Sequence, residues 1–141
     1  MPTDGSDTYA LDTSLAVAAL DESHEAHEVC RRTAMKHRPA LAGHAAFETF
    51  SVLTRLPGAS RASPETAIRI IKLAFPERCW LSSRQCNALL DKLPTMEIAG
   101  GMVYDAMVAE AARVHGRILL TRDARAKNTY ERIGVLFRFI D

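Results

Sequence analysis

Four carboxylates, Asp12, Glu48, Asp105 and Asp123, stand where this sequence could do chemistry. Asp12 and Asp123 each follow a short apolar run, in LDTS and LLTRD. Glu48 and Asp105 fall near the starts of helical patterns, in FETF and YDAM. Singly, each has an ordinary explanation. An acid in a first helical turn complements the macrodipole, and an Asp after a strand caps a helix or makes a turn. Brought together they are another matter. Two unit charges about 5 Å apart repel by roughly 3 kcal/mol at an effective dielectric of about 20, and several such pairs weigh heavily on a marginally stable domain. Either some of the acids are protonated or a cation is present. An all-oxygen set suits a hard ion, Mg²⁺ or Mn²⁺, in preference to zinc.

The elements that must position these acids read most clearly over residues 100–123. A glycine pair leads into a helix starting near Met102 or Val103, where Val103, Met107, Ala111 and Val114 form an apolar stripe widened by Val108 and Ala112. His115-Gly116 is a helix stop, because glycine takes the left-handed conformation freely. Residues 117–121 then form a nearly continuous apolar run, the pattern of a strand covered on both faces. Asp105 lies in the first turn of the helix and Asp123 just past the strand.

Earlier in the chain, residues 8–11 predict a strand that ends at Asp12-Thr13-Ser14, which can cap a helix over 15–20. Ser23 is placed to cap a helix from 24 to about 36, and residues 39–43 form a weak second strand. A helix over about 45–54 carries Phe47 and Phe50 along one side and Glu48 near its start. Ser63-Pro64 opens the next helix, with Ile68, Ile71 and Phe75 as its buried stripe. Residues 79–81 are a candidate strand, and Ser82 to Gln85 match a capping box opening a helix to about 93. A helix or turn over 125–133 and a strand over 135–140 close the chain. Strands alternating with helices predict a three-layer α/β/α sandwich around a mainly parallel sheet: a disordered tail over 1–7, then a single domain over 8–141. Ligands of such sheets bind beyond the carboxyl ends of the strands. If the strands ending at Asp12 and Asp123 are neighbours, their carboxylates emerge on one edge, and Glu48 and Asp105 join them if their helices start there.

A chain of 141 residues, 48% hydrophobic and 25% charged, is an ordinary globular composition. Its net charge of +1 argues against a large phosphate footprint but not against local basic patches. Cys30, Cys79 and Cys86 are odd in number and lack CxxC spacing, which points to reduced thiols in a cytoplasmic protein. No apolar run is long enough to span a membrane, and the polar N-terminus does not have the pattern of a signal peptide.

The ordered contexts LDTS, FETFSVLTRLPG, YDAMVAEAARVHG and LLTRDARA, closing on TYERIGVLFRFID, resemble the PIN-domain ribonuclease family, and within it the VapC-type toxins of bacterial toxin–antitoxin pairs. The likeness runs from about Tyr9 to Asp141. It implies Mg²⁺- or Mn²⁺-dependent endoribonuclease activity, with the four acids in a negatively charged pocket and inhibition by a small VapB-type antitoxin. Asp12 and Asp105 would then be direct metal ligands, with Asp123 and Glu48 completing the set through waters or a second ion. The metal would activate a water for attack on a phosphodiester. Thr13 and Thr121 are candidates to hold a carboxylate or a water, or are plain turn and strand-end residues. Arg122, Arg125 and Lys127 are candidates to hold RNA phosphates, or a solvated surface. Surplus apolar residues, Val29, Cys30, Ile70 and Leu73, point to a homodimer or a toxin–antitoxin hetero-oligomer, the alternative being helices packed on two sides.

Two other classes compete. One is a PIN-fold RNA- or protein-binding module with weak catalysis. The other is an Mg²⁺-dependent phosphoryl-transfer domain of the receiver or haloacid-dehalogenase type. The dehalogenase pattern wants an acid two residues after the first Asp, where Ser14 stands, and a receiver wants adjacent early acids and a strand-end Lys. His24-Glu25-Ala26-His27 is one residue short of the HExxH zinc motif and reads as a polar helix face. Gly100-Gly101 is a hinge before a helix, and Trp80 a core or half-buried residue.

Overall fold

A computed structural model describes residues 7–141, so the expected tail over 1–7 lies, apart from Asp7, outside the described residues. Four short strands, β1 (Tyr9–Leu11), β2 (Ala40–Leu41), β3 (Ile118–Thr121) and β4 (Phe137–Phe139), form one sheet in the order β2-β1-β3-β4. Every pairing is parallel. From β1 the chain first moves outward to β2 and later returns to lay β3 on β1's other side, so the switch point of the sheet lies between β1 and β3.

Seven α-helices cover the sheet: α1 (Thr13–Leu20), α2 (His27–His37), α3 (Ala45–Leu53), α4 (Pro64–Ala74), α5 (Ser83–Lys92), α6 (Met102–Val114) and α7 (Lys127–Ile133). Alternation along the strands divides the interior into two layers. Ala10 and Leu119, paired in register, face α5, α6 and α7 through Leu89, Ala109, Ala112 and Tyr130. Leu11 and its partners Leu41 and Leu120 face the other way, toward Leu15, Cys30, Leu53, Ile71 and Phe75 of the first four helices and their ends. This is the expected α/β/α sandwich.

Local signals held where hydrogen bonding is local. Ser63 caps α4 with Pro64 at its first position, and Ser82 and Gln85 form a complete capping box on α5. Gly116 ends α6 at φ 67°. At Gly43 glycine is required twice over. Its φ is 51°, and a Cβ there would stand 3.1 Å from the Cys79 carbonyl oxygen and 3.3 Å from Ala111 Cβ. That close approach lets α3 begin directly above the end of β2.

Four expectations need correction. α2 begins at His27, not 24, because the Ser23 amide and hydroxyl both donate to Asp21 Oδ1 and make a turn in place of a cap. Residues 79–81 form no strand. A single bridge joins Leu41 to Arg78, with Leu41 N donating to the Glu77 carbonyl and Cys79 N to the Leu41 carbonyl, and this covers the outer edge of β2. Phe47 is exposed, since α3 turns Ala45, Thr49 and Leu53 inward at four-residue spacing. Ile68 is exposed as well, while Ile71 and Phe75 are buried as expected. The surplus apolar residues divide: Cys30 is buried and Leu73 exposed. The three thiols are free, and among the described residues no helix is long and apolar enough to cross a membrane.

Candidate active site

Asp12 and Asp123 leave the carboxyl ends of adjacent strands, and the ladder reaches one step past β1, with Asp12 N donating to the Leu120 carbonyl at 3.2 Å. Asp12 is also the N-cap of α1, its Oδ1 accepting from Leu15 N at 3.1 Å. Glu48, in the first turn of α3, is tied to the same edge because Thr13 Oγ1 donates to its Oε1 at 2.7 Å. Asp105 lies in the first turn of α6. Its carboxyl is pushed up from 3.8 to about 6, by burial first and then by the charges of Asp123, Glu48 and Asp12. The charges of the other three acids thus reach Asp105 at this edge of the sheet, beside the switch point.

Their surroundings differ sharply. Asp12 is 3% exposed, and burial raises its pKa against the pull of four donors. Ser14 Oγ donates to Oδ1 at 2.7 Å, beside the Leu15 amide. Thr121 Oγ1 donates to Oδ2, as does Tyr130 Oη at 2.8 Å. A carboxylate offers about four lone-pair sites, so this one is saturated. Tyr130's own pKa is raised by burial and by the adjacent Asp12, which keeps its hydroxyl a donor. Asp105, by contrast, accepts no hydrogen bond from any described residue. Only the charge of Arg125 offsets the acids around it.

Thr13 and Thr121 both hold an acid, Thr13 on Glu48 and Thr121 on Asp12, and Thr121 Oγ1 also accepts from Asp123 N at 3.0 Å. Asp123 caps a short 3-10 turn through Arg125 N at 3.0 Å, and the Arg125 guanidinium pairs with its Oδ1 at 3.4 Å. Arg125 and Lys127 are exposed. Arg122 is spent differently, donating to the Ile140 carbonyl at 2.8 Å, so it ties β4's end to the site. Sequence reasoning missed Ser14 and Tyr130. A hydroxyl two residues after a capping Asp is a signal for the first, since such side chains bond locally. Nothing local marks the second, which stands 118 residues from Asp12.

Two neighbouring features do not enter the site. Glu110 is buried on α6 but neutralised by Arg113, whose Nε and Nη2 donate to it at 2.7 and 2.9 Å. His24 and His27 serve the backbone, His24 Nδ1 accepting from Ala26 N and the His27 ring bonding the Ala18 carbonyl. They do not share a helical face, because α2 only begins at His27.

Among the described residues, no three His, Cys, Asp or Glu side chains lie close enough together to hold a metal ion as they stand. The donor set nonetheless fits a hard cation. It is all oxygen, the charges of the other three acids raise the pKa of Asp105, and Mg²⁺ commonly takes one or two carboxylates and keeps waters for the rest. Comparison with known proteins agrees in extent. The family model described as PIN domain matches residues 9–132. Ribonuclease VapC27 of Mycobacterium tuberculosis (strain ATCC 25618 / H37Rv) is 48% identical over 126 residues, covering 89% of this chain and 92% of that protein. Ribonuclease VapC40 of Mycobacterium tuberculosis (strain CDC 1551 / Oshkosh) is 41% identical over 128 residues, covering 89% and 94%.

Proposed function

This chain belongs to the PIN-domain family, and we propose that it is an Mg²⁺- or Mn²⁺-dependent endoribonuclease of the VapC type, a toxin restrained by a small VapB-type antitoxin. The observation that carries the reading is the contrast within the cleft: Asp12 is saturated with donors, while Asp105 faces three other acids with no donor of its own. A carboxylate so placed calls for a cation. When bound, the ion supplies a water of lowered pKa and offsets negative charge developing on the phosphate.

The chain's residues do the rest. Asp105, Glu48 and Asp123 would present oxygens to the ion, and the buried Asp12 would add its negative charge to the site. Thr121, Ser14 and Tyr130 fix the Asp12 rotamer, and Thr13 fixes Glu48. Arg125 and Lys127, exposed beside Asp123, meet substrate phosphates. The protein works in the cytoplasm as a homodimer or in a hetero-oligomer with its antitoxin. The phosphoryl-transfer alternatives fall with the family match. The test is Asp12→Asn expressed without antitoxin: loss of RNA cleavage and of growth arrest is expected, and a variant that still does both refutes the scheme.

A further inference from the structure

Four rings form a continuous strip that begins where the acid cleft ends. His44 and Tyr104 are stacked, with centroids 5.3 Å apart and planes 19° from parallel. His44 leads on to Phe47 at 6.4 Å, and Phe47 to Trp80 at 5.7 Å. Phe47 is 65% exposed, Trp80 47% and Tyr104 51%. The strip and the acids share their elements: Tyr104 precedes Asp105 on α6, Phe47 precedes Glu48 on α3, and His44 Nε2 lies 3.9 Å from Glu48 Oε2. Beneath Phe47 and Trp80 is a shallow pocket of about 130 Å³, floored by Leu81 and Met107. It is well below the size of a drug-like ligand site and suits a single flat ring.

Contiguous exposed apolar surface of this kind marks a binding site. Rings of this kind are the surfaces on which unpaired bases stack. We propose that this strip is a stacking platform for the unpaired bases that flank the scissile phosphodiester. The proposal rests on the ribonuclease reading and deepens it. The large exposed side chains of the strip are rings, with the partly buried Leu81 and Met107 packed against the core behind them.

Trp80 is the chain's only tryptophan, so its emission reports on the strip. The full chain is titrated in Ca²⁺, with RNA integrity checked on gels, using an oligoadenosine strand about 12 nucleotides long and an abasic ribose-phosphate strand of equal length. The adenosine strand is expected to quench Trp80 and to bind roughly tenfold or more tightly than the abasic strand. Phe47→Ala and Tyr104→Ala should each weaken binding by roughly 5- to 100-fold, while Tyr104→Phe, which keeps the ring, binds like the parent. These side chains are half or more exposed, and circular dichroism is the check that the variants fold. Equal binding of the two strands overturns the proposal. So do alanine variants with unchanged RNA affinity, which would mark the strip as a protein-facing surface. Cleavage in Mg²⁺ is scored separately. A chain that binds with quenching but never cleaves removes the nuclease reading and supports the platform. One that cleaves with KM unmoved by either alanine removes the platform alone.

Discussion

Replacing Asp105 by Asn separates the cost of the cleft from its use. In the folded chain this carboxyl titrates near 6 instead of 3.8, so the folded state holds its proton more tightly than the unfolded state does. Stability therefore falls as pH rises from about 4 to about 6 and stays lower above that. At about 1.4 kcal/mol per pH unit the full effect is roughly 3 kcal/mol. Because the site is only half-buried, solvent screening reduces this to about 1–2 kcal/mol. Asn keeps the shape and removes the charge. In urea unfolding at pH 7.5 with EDTA, Asp105→Asn is thus expected to be more stable than the parent by about 1–2 kcal/mol. At pH 4 the difference should vanish. Mg²⁺ reverses the order at neutral pH. At 100 times its Kd it stabilises the parent by about 2.7 kcal/mol and the variant much less, while RNA cleavage by the variant falls by roughly 100-fold. A variant no more stable than the parent in EDTA, or one equally stabilised by Mg²⁺, would refute the idea that Asp105 is an unshielded charge awaiting a cation.

Tyr130→Phe removes one donor from the buried Asp12 carboxylate. It should lower stability by about 1–3 kcal/mol in urea titrations and slow cleavage, whereas an unchanged midpoint would mean the hydrogen bond contributes nothing. Gly43→Ala places a Cβ against the Cys79 carbonyl at φ 51°, and a loss of about 1–3 kcal/mol with reduced cleavage is expected by thermal unfolding and RNA assay. Thr13→Val frees Glu48 without opening the core, so cleavage should fall several-fold while the melting temperature moves little. Removal of divalent ions should abolish cleavage, with Mg²⁺ or Mn²⁺ restoring it, and an activity that persists in EDTA would exclude the metal-dependent reading.

The sequence by itself determined what acts over a few residues. The caps at Ser63 and Ser82, the glycine stop at Gly116 and the run of β3 depend on hydrogen bonds and propensities within about four residues, and all are present as read. The acids were legible because each sits at a strand end or in a first helical turn. Their ordinary roles hold too, since Asp12 and Asp123 are caps as well as members of the cleft. Only the tertiary structure decided that β1 lies beside β3, which brings Thr121 and Tyr130 onto an acid 109 and 118 residues away. It also decided that Phe47 faces outward and that Asp105 is left without a donor. Such outcomes depend on how whole layers pack, because a helix commits its buried face to whatever the sheet presents. No local pattern around Tyr130 or Phe47 carries that information.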